Sequence, residues 1–235
     1  AEVAKLDPAC EGFAKSDIEP GHPVQLATDL WRLTAPNQGV MTGPGTNTYL
    51  LGNAETGIAV LDPGPDLAEH VQAILDLASG PIKWILCTHT HRDHSPAAVM
   101  LKALTGAQVI GMPAPPHTNQ DQTFAPDYVP THREELHIAG AKLRVLHTPG
   151  HASNHLCFLH ESEKILFTGD HVMQGSTVVI NPPDGDMLIY LESLRMVMQE
   201  PMAYFAPGHG FLIGKPVEAI EIGRASCRER VSSPV

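Results

Sequence analysis

The sequence predicts an α/β fold in which two strand-rich halves pack sheet on sheet, with helices outside. Three features carry that expectation. Short apolar runs alternate with stretches of helical periodicity, the rhythm repeats after a proline-rich break, and polar residues beside glycines follow directly on several of the runs.

In the first half, residues 48–52 follow the turn-rich GPGTN and read as a strand. Residues 58–61 read as a buried strand ending in Asp62-Pro63-Gly64. A helix is expected from about Asp66, as its N-cap, to about Ser79. Leu67, Val71, Ile74 and Ala78 form its apolar face, and Gly80-Pro81 stops it. Residues 82–87 make the next strand and run into CTHTHRDHSP (87–96). Ser95 and Pro96 then open a second helix that carries Val99, Met100 and Leu104 and closes at Gly106.

Residues 107–111 are strand-like. Pro113, Pro115, Pro116, Pro126 and Pro130 then predict a long irregular loop, which either faces substrate or is a disordered surface excursion. In the second half, residues 142–146 form a strand before HTPGH, and residues 156–159 and 165–168 flank the turn ESEK as a hairpin. Met187, Leu191, Leu194 and Met198 mark an amphipathic helix, and 203–206 is a short strand before PGHG.

At 235 residues the chain makes one large domain or two small ones, and its 43% hydrophobic and 17% charged residues supply a sizeable core. A net charge of −11 disfavours a partner held mainly through phosphates, although bound divalent ions would offset it locally. Cys10, Cys87, Cys157 and Cys227 form no CxxC pair. Cys87 and Cys157 lie in apolar runs and read as buried thiols of a reducing compartment. No apolar stretch approaches a membrane span and AEVAKLDPACEGF lacks a signal-peptide core, so a cytoplasmic protein without a membrane partner is expected.

Many of the histidines need no function: His22, His70, His117, His132, His137 and His160 sit in polar or loop contexts and are expected to be solvated. His89, His91, Asp93 and His94 are different. Residues 89, 91 and 93 of an extended chain point to one side, and imidazole with carboxylate is the ligand set of a borderline divalent ion, zinc above all. Manganese and iron accept the same donors. His151 in TPGH, Asp170 in FTGDH and His209 in PGHG each follow a strand beside glycine, where the backbone turns tightly and exposes the side chain. Donors at four separate strand ends argue against chance.

HxHxDH (His89, His91, Asp93, His94), followed in order by His151, Asp170 and His209, resembles the metallo-beta-lactamase superfamily, whose first motif matches Asp62 in LDPG. The resemblance covers about residues 28–214. It implies a four-layer αββα sandwich, two mixed sheets face to face with helices outside. It also implies two Zn(2+) per chain: His89, His91 and His151 on one ion, Asp93, His94 and His209 on the other, Asp170 bridging. Asp62 would orient a ligand by hydrogen bonding. Hydrolysis by a metal-bridging hydroxide follows, with Asp93 and Asp170 as catalytic carboxylates and the leaving group protonated by Asp93 or metal-bound water. His147, His155 and His171 match no ligand position and are expected to pack or line the rim.

Departures from the family narrow the branch. Flavodiiron members carry glutamate where this chain has His91, and zinc beta-lactamases carry cysteine or serine where it has Asp170, so antibiotic cleavage is disfavoured. The donor set matches the glyoxalase II and ribonuclease Z group. GTNTYLLG, THTHRDHSPAA, LRVLHTPGHASNH and FTGDHVMQGSTVVI look most like the beta-lactamase-like protein 2 family and its bacterial relatives. That family includes a zinc endoribonuclease acting on single-stranded RNA. The expected substrate is a small ester or thioester, as in hydroxyacylglutathione hydrolases, with single-stranded RNA second. A non-catalytic scaffold is disfavoured because every ligand position is filled. Gly175, Ser176 and Thr177 follow Asp170 and either line the pocket or form an ordinary loop.

The expected organisation is an extension at 1–27, a catalytic domain at 28–214 and the start of a truncated C-terminal helix at 215–221, with Val217 and Ile220 as its apolar face. Residues 222–231, IGRASCRERV, back-translate as ATC GGA AGA GCG TCG TGT AGG GAA AGA GTG, which resembles a sequencing adapter. Residues 222–235 are therefore read as an artefact. Without their three arginines and one glutamate the charge falls from −11 to −13, and Cys227 and those arginines carry no functional weight.

Overall fold

The computed structural model describes residues 18–174 and 177–221 and arranges their strands in two mixed sheets. The first contains β1 (Val24–Ala27), β2 (Leu30–Thr34), β3 (Asn47–Asn53), β4 (Gly57–Leu61), β5 (Ile82–Leu86) and β6 (Gln108–Ile110), in that spatial order. It is antiparallel from β1 to β4 and parallel from β4 to β6. The second contains β7 (Glu135–Ile138), β8 (Ala141–His147), β9 (Leu156–His160), β10 (Ile165–Gly169) and β11 (Tyr204–Pro207), in the order β11-β10-β9-β8-β7. Its β10–β11 pair is parallel and the rest antiparallel. Among the described residues the longer helices are α1 (Ala68–Leu77), α2 (Ala97–Thr105) and α3 (Met187–Val197).

The period of two along each strand assigns the layers. Ala59 and Leu61 of β4 meet Leu156, Phe158, Ile165 and Phe167 of the second sheet in a central core. Ile58 and Val60, pointing the other way, pack with Val71 and Ile74 of α1 and with Leu101 of α2. Cys157, Leu159 and Leu166 turn outward to Tyr190, Leu194 and Val197 of α3. The result is the expected order of helix, sheet, sheet and helix. Tyr49 and Phe167 join the sheets with ring centroids 5.2 Å apart, and each fully buried side chain of this size contributes about 1.5–3 kcal/mol.

Several expectations are corrected. α1 starts after an extended Leu67 with no side-chain cap, so Asp66 is not its N-cap. α2 buries Ala97, Ala98 and Leu101, whereas Val99 and Leu104 are 52% and 61% exposed. Ala97 and Ala98 sit beside Leu101 in the core under the first sheet, Met100 packs partly buried against it, and Val99 and Leu104 face out. Ser95 does not cap it; its Oγ donates to Asp121 Oδ2 at 2.8 Å. Gly106 does end it, in the left-handed region at φ 71. α3 is capped by Asp186, which accepts from the N–H groups of Leu188 and Ile189.

β1, β2 and β7 were not anticipated, and β1 puts the edge of the first sheet at Val24, inside the stretch expected to be an extension. At 216–221 the chain is helical, with Ile220 buried but Val217 half exposed. The proline-rich stretch forms an irregular loop, and Gln120, Asp121 and Phe124 are buried, so it is no loose excursion. Cys87 and Cys157 are buried free thiols; Cys10 and Cys227 lie outside the described residues. Among the described residues, no helix is long and apolar enough to cross a membrane.

Candidate metal centre and active site

The site sits where strands of both sheets end. β4 delivers Asp62, β5 leads into the loop from Thr88 to His94, β8 into His151, β10 into Asp170 and β11 into His209. The ends are stitched together: Asn47 at the start of β3 donates its N–H to Gly208 O (2.7 Å) and its side chain to Pro207 O and Gly210 O (3.0 and 2.8 Å). Asp62 adopts φ 48, a left-handed conformation that a short polar side chain tolerates. Its Oδ1 accepts from Thr88 N (2.7 Å), and its Oδ2 accepts from Thr88 Oγ1 (2.8 Å) and His94 Nδ1 (2.9 Å).

Among the described residues, three groups of donor atoms lie close enough to hold an ion, each within a span of 4.8 Å. They are His89/His91/His151, Asp93/His94/His209 and His89/His94/Asp170. His91 Nδ1 stands 3.0 Å from His89 Nε2 and 2.9 Å from His151 Nε2. His209 Nε2 stands 3.2 Å from Asp93 Oδ2, and His94 Nε2 3.4 Å from the same atom. Asp170 faces both sides: Oδ1 is 3.4 Å from His94 Nε2 and from His209 Nε2, and Oδ2 is 3.6 Å from His151 Nε2. All seven donors expected from the sequence are thus brought together, with Asp62 behind His94.

The proton positions fit cations at this place. His151 Nδ1 must donate to the carbonyl of Val179, and His209 Nδ1 to that of Gly45, which turns an Nε2 lone pair of each inward. Thr88 gives its hydroxyl proton to Asp62 and so accepts from His89 Nδ1, leaving His89 Nε2 as an inward lone pair too. His94 Nε2, His209 Nε2 and Asp170 Oδ1 are buried with no hydrogen-bond partner. Lone pairs facing one another in a buried place are costly unless a positive charge lies between them.

The electrostatics agree. Burial first, then the neighbouring histidines, hold His89 well below its ordinary range; burial and His151 push His91 down to about 4. Both are therefore neutral imidazoles, the ligand form. Burial also opposes charge on His94 and His209, yet the carboxylates win. Asp93, Asp170 and Asp62 push His94 well up, and Asp170 with Asp93 pushes His209 up to about 10. The carboxylates demand positive charge, which either protons or divalent ions supply. Stripping metal with a chelator should therefore lower the unfolding temperature, and adding it back should restore it. The effect is about 4 kcal/mol when free ion is at a thousand times its Kd, checked by calorimetry with and without chelator.

Other histidines depart from expectation. His70 and His160 are buried, not solvated: His70 Nε2 bonds to Thr48 Oγ1 at 2.9 Å, and burial lowers it to about 4. His155 and His171, expected either to pack or to line the rim, are fully buried and pack; His155 Nδ1 bonds to Thr148 Oγ1. His147 is partly buried on β8, its Nε2 bonded to Ser153 O.

A cavity of about 510 Å³ opens onto the donors and includes His91, Asp93, His151 and Asp170 in its wall. Thr177 lines it, whereas Gly175 and Ser176 lie outside the described residues. Sequence reasoning missed most of the remaining wall, including Val40, Met41, Arg92, Asn119, Gln120 and Asp184. His117, expected to be merely solvated, also lines it.

A family model described as the metallo-beta-lactamase superfamily matches residues 41–209. The chain belongs to the metallo-beta-lactamase superfamily. It is 31% identical over 212 residues to the beta-lactamase-like protein 2 homolog of Drosophila melanogaster, covering 84% of this chain and 69% of that protein. It is 31% identical over 218 residues to an atrochrysone carboxyl ACP thioesterase of Aspergillus fumigatus, covering 87% of this chain and 64% of the fungal enzyme. The crystal structure of a metallo-beta-lactamase family protein from Thermus thermophilus superposes with a TM-score of 0.75 at 22% identity, covering 88% of this chain and 81% of that one; this likeness shows the fold. The metallo-beta-lactamase fold and its donor set make this a metal-dependent hydrolase domain.

Proposed function

We propose that the protein hydrolyses a small thioester, using two zinc ions held by His89, His91 and His151 and by Asp93, His94 and His209, with Asp170 shared between them. The observation that carries this reading is the donor cluster lying at a cavity whose wall includes Val40, Met41, Met173, Val179, Pro182 and Pro183, an apolar surface suited to an acyl group. Ions bound there would polarise the thioester carbonyl and lower the pKa of water.

The chain's own groups do the rest. Asp62 holds the His94 ring in place through Nδ1. Asp93, with 26% of its side chain exposed against 10% for Asp170, is the carboxylate more open to the cavity and can orient the attacking water. A leaving thiolate, with a thiol pKa of about 8.5, departs without a strong acid beside it, unlike an alkoxide. The thioesterase name of the Aspergillus relative supports the same choice.

Single-stranded RNA is less well matched. Among the described residues no Phe, Tyr or Trp lines the cavity, which leaves only the smaller His117 ring and the Arg92 guanidinium to stack a base, and the charge is −11. The test is thiol release from a glutathione thioester by the zinc-loaded protein, with Asp170→Ala as control. Turnover that disappears in the variant is expected. A protein silent on thioesters that cuts a single-stranded oligonucleotide would overturn the reading.

A further inference from the structure

Gln120 stands out in the irregular loop between β6 and β7, being only 3% exposed. Its carboxamide is used at both ends. Oε1 accepts from the Thr90 hydroxyl, and Nε2 donates to Asp184 Oδ2 at 2.7 Å. Asp184 also accepts from Ser153, from its N–H at 3.2 Å and from its hydroxyl. Thr90 Oγ1 in turn accepts from Asn154 Nδ2 at 2.7 Å, and Thr90 lies between His89 and His91. One hydrogen-bonded chain thus joins the histidine loop, the 117–120 wall, the 181–184 wall and the turn after His151.

Two of those segments matter most. Residues 117–120 and 181–184 both line the cavity, and neither belongs to a strand or a helix. No sheet fixes their separation, and the Gln120–Asp184 bond ties them directly. The hydrogen-bond donors found on the Asp184 carboxylate are neutral, so the pair is an amide-to-carboxylate bond of the stronger, charge-assisted kind. We propose that Gln120 and Asp184 form a latch across the cavity that sets its width and so limits the size of the acyl group. This rests on the thioesterase reading; the latch itself does not.

The test uses Gln120→Glu, which sets a second carboxylate against Asp184 and drives the walls apart, and the double variant Gln120→Glu/Asp184→Asn, which restores a donor and an acceptor between the two walls and gives up only the 3.2 Å bond from Ser153 N–H to the same Asp184 oxygen. Two readouts are taken on the zinc-loaded full chain: amide hydrogen exchange at 117–122 and 181–186, and kcat/KM over straight-chain thioesters from acetyl to decanoyl. In the single variant, exchange should rise in both segments. The ratio of decanoyl to acetyl kcat/KM should rise about tenfold, through KM rather than kcat, equivalent to about 1.4 kcal/mol. Both should move back most of the way to the wild-type values in the double variant, which a general loss of structure would not allow. Unchanged exchange in Gln120→Glu would overturn the latch. Raised exchange with an unchanged chain-length profile would overturn its role in selecting substrate. If the wild type hydrolyses no thioester, the thioesterase reading fails, and the latch then stands or falls on the exchange rise and its reversal.

Discussion

Gly208→Ala is expected to lose bound metal and at least about a hundredfold in hydrolysis while keeping its secondary structure, because a displacement of about 1 Å in reacting groups is enough for such a loss. A Cβ at this position would stand 2.6 Å from Asp170 Oδ1, 2.7 Å from His94 Cε1 and 3.1 Å from the Gly169 carbonyl carbon. None of these can retreat easily. His94 is fixed through Asp62, Asp170 follows directly on β10, and residue 208 is pinned from both sides: its N–H donates to Gly169 O at 2.8 Å, and its carbonyl accepts from Asn47 N at 2.7 Å. The intruding methyl therefore pushes on a donor facing both ion groups and on a histidine of one. Metal content by mass spectrometry under native conditions, beside circular dichroism, checks it. Two ions per chain and wild-type turnover in the variant would show that the site has slack that the contacts do not reveal.

The same close approach explains what was legible in the sequence. Donors beside glycines, as in PGHG and FTGD, need no long-range information: Gly208 leaves room for Asp170, and Gly169 takes φ 46 with no space for a side chain against Thr88. The alternation of His89, His91 and Asp93 is equally local. Sheet on sheet was legible from two strand-rich halves, each with helices for one face, and runs such as residues 156–159 send alternate side chains to different cores accordingly.

What failed depended on partners far away in the chain. The exposed face of α2 was misjudged because Ala97 and Ala98 carry little hydrophobic signal, although both are among the residues that the helix buries. In β7 only Leu136 and Ile138 alternate with polar neighbours, and β1 buries Leu26 alone, too short a signal in either case. His70 reads as a solvated histidine in a polar context until Thr48, 22 positions earlier, supplies its hydrogen bond. Gln120 and Asp184 are 64 positions apart, and nothing near either announces the pairing.

Asp62→Asn should weaken metal binding about 10- to 100-fold, the usual cost of losing a partner behind a ligand. The change is nearly isosteric, so its effect would come from protons. Asp62 Oδ2 accepts two bonds at once, from the Thr88 hydroxyl and from His94 Nδ1. Its Oδ1 accepts a third, from Thr88 N. An amide offers one oxygen, and if that oxygen keeps the backbone N–H, the amide nitrogen faces two groups that were both donors. The Thr88 hydroxyl can rotate, but His94 can accept from the amide only by moving its own proton from Nδ1 to Nε2. That proton then points at Asp93 and Asp170, where a lone pair is needed for ligation. Nitrogen NMR of the ring would report the tautomer directly, and titration of the apo-protein with zinc would report the affinity. Unchanged affinity together with Nδ1 still protonated would mean that the amide had turned over, giving its oxygen to His94 and leaving Thr88 N unpaired; the cost would then appear as lost stability, not lost metal.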